Sequence, residues 1–167
     1  PEVLKFLKDK KGKPFPKALI SKIENAKNFN EGFRSVEFLA SAIMDMKLHL
    51  STDSSIDPVA FEKKTLKDIG MPTEIVMRHR THHFGHVFSG EGYAAGYYGY
   101  LWSDVLKQDA FEAFLEGKGP YDPTVAQRLR ETILSIGNSI DPAQAFRNFR
   151  GRDPKPDALL RARGFAP

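Results

Sequence analysis

The sequence predicts an all-α fold, and three observations carry that prediction. Apolar residues recur at three- and four-residue steps through most of the chain, the spacing of a buried helix face. Asp57-Pro58, Asp122-Pro123 and Asp141-Pro142 each read as a helix start. The aspartate suits an N-cap, and the proline suits the first helical position, where an N–H would have no partner anyway. No stretch shows convincing strand alternation; Tyr97-Tyr98-Gly99-Tyr100 only imitates one.

Taken in order, residues 2–11 place Val3, Leu4, Phe6 and Leu7 among lysines, as at the end of a helix. Gly12 and Pro14-Phe15-Pro16 break it. Pro16 suits a first helical residue, and Leu19, Ile20, Ile23 and Ala26 then repeat at helical spacing. A long helix is expected from Glu31 to Leu50, apolar on more than one face and therefore well buried. His49 falls near its end, where a helix favours a cation or a packing group. After a polar loop at 51–55, a helix from Pro58 to Ile69 should close at Gly70, and Pro72 should open another short one. The next helix is expected from about Tyr93 through Leu106 and on to Leu115, despite Gly96 and Gly99, each costing about 1 kcal/mol against alanine. Gly117 to Pro120 ends it. An amphipathic helix from Asp122 to Ile136, a short one from Asp141 to Phe149 and a last one from Pro156 to Arg163 complete the series.

With 167 residues, the chain is long enough for one domain with a core. A hydrophobic content of 41% and a charged content of 28% suit a globular protein in water. No apolar run approaches the roughly 20 residues that span a bilayer, and no signal-peptide pattern opens the chain. The absence of cysteine removes disulfides and thiolate ligands and fits a reducing compartment. A cytoplasmic location is expected, although Pro1 is no translational start and a targeting signal upstream is not tested by this sequence. The net charge of +4 admits an acidic partner. The lysines gather at the N-terminal end. Arg147, Arg150, Arg152, Arg161 and Arg163 make a basic C-terminal group, read as solvated surface or as packing against a part of the protein absent from this sequence, since no base-stacking aromatics interleave with them.

Chemistry concentrates in His79 to Trp102. This stretch holds four of the five histidines, four of the five tyrosines and the only tryptophan. Ser89-Gly90-Glu91-Gly92 is a flexible turn whose glycines allow positive φ and close backbone approach. Tyr93, Tyr97 and Tyr100 stand at helical spacing and would share one face. A neutral phenol donates a hydrogen bond, and aimed at a carbonyl gaining negative charge it becomes an oxyanion donor. The same stripe also suits an aromatic core with polar tips. His79, His82, His83 and His86 stand at ligand-like offsets, but no carboxylate accompanies them before Glu91. An intrinsic metal site there is not the expected reading, and adventitious nickel or zinc binding stays open.

The run from His86 to Trp102, YAAGYYGYLW within it, continues into Ser103-Asp104-Val105-Leu106. This run resembles the substrate-binding loop and following helix of the zinc peptidase family of thimet oligopeptidase, oligopeptidase A and bacterial peptidyl-dipeptidase Dcp. Phe146 to Arg152 and Asp157 to Arg161 with Gly164 resemble that family's C-terminal end. Phe29 to Phe33 and Glu37 to Ala40 resemble a segment further upstream. The family's His-Glu-x-x-His zinc motif is absent here. The resemblance therefore implies the C-terminal helical part, residues 1–167, of a larger, mostly helical catalytic domain whose zinc half lies upstream.

The parent enzyme would hydrolyse short peptides, as a peptidyl-dipeptidase or an oligopeptidase, with zinc held by ligands outside this chain. Tyr100 and Tyr97 would stabilise the oxyanion; His86, Tyr93, Gly90 and Gly92 would bind substrate, the glycine loop closing over it. The chain departs from some relatives in the length of its His86-to-Tyr93 spacer. Its expected partners are peptide substrate and the N-terminal part of the same protein, with neither nucleic acid nor membrane. Apolar surface left uncovered by that part would favour self-association, and the chain alone should be inactive. Two rivals remain: a non-enzymatic helical module binding peptide or nucleic acid through its Tyr/Arg surface, and an independent histidine-metal protein.

Overall fold

A computed structural model describes residues 6–166, and the described chain is helical, with one isolated β-bridge between Lys8 and Pro14. The helices are α1 (Lys17–Ala26), α2 (Glu31–His49), α3 (Pro58–Asp68), α4 (Gly85–Phe88), α5 (Gly99–Glu116), α6 (Pro123–Leu129), α7 (Pro142–Arg150) and α8 (Asp157–Ala162). Short 3-10 turns at Thr81–His83 and Glu91–Tyr93 bracket α4, and a π turn at Arg130–Leu134 continues α6.

All three Asp-Pro starts form as the residue types require. Asp57 accepts the N–H groups of Val59 and Ala60, Asp122 those of Thr124 and Val125, and Asp141 that of Gln144. Each satisfies amides that the first turn of a helix leaves without a partner. Gly70, at φ 76°, and Gly151, at φ 74°, supply the left-handed residues that end α3 and α7.

Four expected helix boundaries are corrected. Residues 6–11 form a tight turn: the Asp9 carboxylate takes the amides of Lys11 and Lys13, which bends the chain back on itself. The rest of that expected helix lies outside the described residues. Pro72 opens only a single turn, closed by Ile75 N–H on the Pro72 carbonyl at 3.0 Å. The helix expected from Asp122 to Ile136 stays α-helical only to Leu129, because the Ser135 N–H reaches back five residues to the Arg130 carbonyl at 2.8 Å. Most consequentially, the helix expected from Tyr93 begins at Gly99. The amides of Ala95 and Tyr97 bond to the side chain of Asp45 on α2 instead of to carbonyls one turn back, and Ala95 takes a left-handed φ of 57°.

Two apolar clusters form the core. One packs Ala40, Ala42 and Met44 of α2 against Leu66 of α3 and against Met77, Phe84, Val87 and Tyr97. The other joins Ala113 of α5, Val125 of α6 and Phe149 of α7. α5 begins two residues after Tyr97 of the first cluster and carries Ala113 of the second, running about 27 Å at 1.5 Å per residue over its 18 residues. α1 buries none of its side chains; Leu19 and Ile23 face solvent.

The arginines near the C-terminus are spoken for. Arg150 and Arg152 converge on Asp109 of α5, at 2.9 Å and 2.6 Å. Arg150 also grips Glu116 with both terminal nitrogens, the fork geometry that favours arginine over lysine. Arg161 pairs with Glu112, and Arg163 bridges Glu31 and Asp104. These contacts fasten α8 and the segment before it along α5, so the group is an internal packing face and not a free basic patch. Arg147 pairs only with Asp153, on the exposed side.

Burial draws the Asp109 carboxyl upward, but Arg152, the Lys155 amide and Arg150 outweigh burial and hold it below its ordinary 3.8. A carboxyl lowered on folding stabilises fully above its unfolded value, and that contribution disappears as pH falls through the folded value. Stability should therefore hold steady from neutral pH to about 5 and decline below about 4. A denaturation midpoint unchanged between about pH 5 and pH 3 would contradict this.

Candidate functional site

His86, Tyr93, Tyr97 and Tyr100 come together, but not as a helical stripe. His86 sits in the second position of α4, Tyr93 ends a 3-10 turn, Tyr97 lies in the turn before α5, and only Tyr100 is in a regular helix with a free face. The turn folds the first two tyrosines back toward the third. The His86 ring centroid lies 4.4 Å from Tyr93, 5.6 Å from Tyr97 and 5.7 Å from Tyr100. The rings of Tyr93 and Tyr100 stack at 6.3 Å and 10°. His86 Nε2 and the Tyr100 hydroxyl share a hydrogen bond of 2.9 Å.

The members differ in exposure and so in what they can do. Tyr97 is 9% exposed and is a core residue: it stacks on Phe38 and meets Phe84 edge-on. Tyr93 is 51% exposed and Tyr100 is 41% exposed, so both can meet a ligand. Partial desolvation, then the neighbouring phenols of Tyr93 and Tyr97, raise the Tyr100 phenol above its ordinary 10. Tyr100 is thus a neutral donor at physiological pH. An open cavity of about 210 Å³ lies beside the cluster, lined by His79, His86, Tyr97 and Tyr100. A larger apolar groove of about 500 Å³, walled by Leu129, Ile133 and Phe146 among others, has Lys107 as its one charged lining residue.

The glycines act differently from the expectation. Neither Gly90 nor Gly92 takes a left-handed φ, and no neighbouring atom crowds either. Gly90 is extended, at φ 172°. They contribute conformational freedom and exposure; the left-handed residue of this segment is Ala95. His79 stacks on Phe84 at the cavity wall, while His82 and His83 meet each other edge-on at the surface. Tyr98 and Trp102 face away into solvent. Among the described residues, no group of three or more His, Asp or Glu is placed to hold a metal ion.

Two buried carboxylates fix this segment at its ends, and neither was singled out in the sequence. Glu62 of α3, 2% exposed, accepts both the N–H and the hydroxyl of Thr81 at 2.9 Å. Arg80 Nε lies 2.7 Å from the other Glu62 oxygen, an ion pair by distance without an aligned N–H. Asp45 of α2, fully buried, accepts from Ala95 N–H at 3.0 Å and Tyr97 N–H at 2.9 Å. His49 Nδ1 lies 2.8 Å from Asp45 and its ring stacks on Phe88 of α4. The available signal was an acid set between Met44 and Met46 on a helix that the pattern buries.

The scaffold and site together define a helical domain that presents an exposed imidazole–phenol cluster beside an open cavity. The model of Peptidase family M3 matches residues 1–165, and the chain belongs to that family. It is 36% identical over 157 residues to oligopeptidase A of Haemophilus influenzae, covering 92% of this chain and 22% of that protein. It is 38% identical over 157 residues to dipeptidyl carboxypeptidase of Escherichia coli, covering 92% of this chain and 23% of the relative. Oligopeptidase A of Escherichia coli is 38% identical over 166 residues, 96% of this chain and 24% of its own length. The chain therefore spans about a quarter of the length of the relatives it matches. No described helix is long and apolar enough to cross a membrane.

Proposed function

We propose that this chain forms the substrate-facing wall of a zinc metallopeptidase that hydrolyses short peptides, as an oligopeptidase or a peptidyl-dipeptidase. The observation that carries the reading is the 2.9 Å hydrogen bond between His86 and Tyr100 at an open cavity. A neutral imidazole donates through one ring nitrogen and accepts through the other. When Nε2 carries the proton, it donates to the Tyr100 oxygen and leaves the phenol's own proton free. That proton can then be given to a peptide carbonyl, most strongly as negative charge gathers on its oxygen.

Tyr93, tilted against His86 and half exposed, supplies an apolar face and a second polar tip for the peptide backbone. Tyr97, though only 9% exposed, also lines the cavity and would support Tyr100 in stabilising the oxyanion. The 89–92 segment, exposed throughout, can fold over bound peptide. Zinc of the parent enzyme would be held by a His-Glu-x-x-His motif, which this sequence does not contain, and so by residues outside it. The apolar side chains left exposed on α1 and α2, Ile23, Phe33 and Val36 among them, suit contact with the remainder of that protein.

The test is hydrolysis of short fluorogenic peptides by the full-length parent protein and by the 167-residue chain, each with added zinc. Turnover by the parent alone is the expected result. Turnover by this chain alone would refute the division of labour, and an inert zinc-loaded parent would refute the peptidase reading.

A further inference from the structure

We infer that Asp45 is a positioning residue for the reaction proposed above: its buried carboxylate, by accepting the main-chain N–H groups of Ala95 and Tyr97, holds the turn that brings Tyr93, Tyr97 and His86 onto Tyr100. The inference rests on that functional reading for its kinetic consequence, and on geometry for everything else.

The segment 93–98 has a local alternative. Its tyrosines have helical spacing, and α5 could extend backward through them. Ala95 and Tyr97 would then donate to the carbonyls of residues 91 and 93. In such a helix, Tyr93 and Tyr100 would lie about 10 Å apart along the axis, seven residues at 1.5 Å each. The observed ring separation is 6.3 Å, with both rings against His86. Three features of the segment prevent the helix. Asp45 takes both amides, one on each carboxylate oxygen. Between them, Gly96 N–H turns to the Tyr93 carbonyl at 2.9 Å, and Ala95 adopts a left-handed φ that alanine rarely takes.

The acceptor is well braced. Asp45 is 0% exposed, and Phe38, seven residues earlier and on the same side of α2, stacks on Tyr97 at 5.3 Å. Across Asp45, His49 Nδ1 bonds to the Asp45 main-chain carbonyl at 2.9 Å and lies 2.8 Å from its carboxylate, and the His49 ring stacks on Phe88, two residues beyond His86 in α4. One carboxylate therefore touches both halves of the cluster: the tyrosine turn directly, and the His86 helix through His49. Two donors on two oxygens need a carboxylate. An asparagine would offer one acceptor and turn an N–H group toward the other amide, leaving it without a partner inside the protein.

The experiment is a double-mutant cycle in the full-length enzyme, with Asp45→Asn made alone and together with Tyr100→Phe. If Asp45 acts through Tyr100, the single variant loses on the order of 10- to 100-fold in kcat with KM nearly unchanged, as misplacement of a reacting group does. The same change in the Tyr100→Phe background then costs less than about threefold. Equal losses in both backgrounds, or an unchanged kcat, would overturn the inference. Should Asp45→Asn fail to fold, hydrogen exchange in the unmodified protein decides. Slow exchange at Ala95 and Tyr97 is expected despite their position in a turn, and exchange at unprotected rates would overturn the clamp. An unmodified full-length protein without peptidase activity would defeat the functional reading instead, and the exchange rates would still decide the clamp.

Discussion

Replacing Tyr100 by phenylalanine in the full-length enzyme is expected to lower kcat by roughly 100- to 1,000-fold, the usual cost of a missing preorganised oxyanion donor. KM should change far less. The ring that stacks on Tyr93 and the bulk that lines the cavity both survive the substitution. Only the hydroxyl is lost, and a hydroxyl aimed at a carbonyl contributes most when that oxygen carries negative charge. The same change at Tyr93 should act mainly on KM, because the His86 Nε2 hydrogen bond goes to the Tyr100 hydroxyl and not to that of Tyr93. Steady-state kinetics on zinc-replete protein separates the two parameters. A kcat for Tyr100→Phe within a fewfold of the unmodified enzyme would remove Tyr100 from the chemistry and leave it a packing residue.

Asp109→Asn is expected to be the most damaging change outside the site, destabilising by about 3–5 kcal/mol, the range for breaking one side of a buried ion pair. Asp109 is fully buried and receives Arg150 Nε, both terminal nitrogens of Arg152 and the Lys155 N–H. An asparagine would face two guanidinium groups with an amide donor of its own. Arg150, with its side chain 4% exposed, would keep Glu116 but lose its inner partner. The exposed Arg147–Asp153 pair is the control: Arg147→Ala should cost no more than about 1 kcal/mol, since water and salt already screen it. Urea unfolding followed by circular dichroism measures both. Equal midpoints for the two variants would show that the Asp109 cluster contributes no more than surface charge does.

Helix positions were legible wherever one local signal decided them. Asp57, Asp122 and Asp141 sit at their caps because an N-cap is a contact between near neighbours. The family was legible for a similar reason, since YAAGYYGYLW is contiguous. The tyrosine turn was not, because the group that decides it stands about fifty residues away on another helix. Helical spacing in 93–100 predicted a stripe, and Asp45 overrode it by taking two amides at long range. His86, Tyr93 and Tyr100 do lie together, but through a turn and not along a helix face. The packing of Tyr97 against Phe38 and Phe84 was equally invisible, because both partners come from other parts of the chain. Glu62 and Asp45 were passed over because burial of an acid becomes visible only once its donors are placed. The arginines at the C-terminus looked like surface because Asp104, Asp109 and Glu112 are distant in sequence.

The Glu62 and Asp45 anchors lie outside the His86-to-Tyr93 spacer, one before it at Thr81 and one after it at Ala95 and Tyr97. A span pinned at both ends takes up slack in its middle. Residues gained or lost between 87 and 92 would bow outward or draw flat, while the abutments and Tyr100 stay where they are. Spacer length is thereby released from the geometry of the phenols, so the loop can reach further or less far without disturbing the rings behind it.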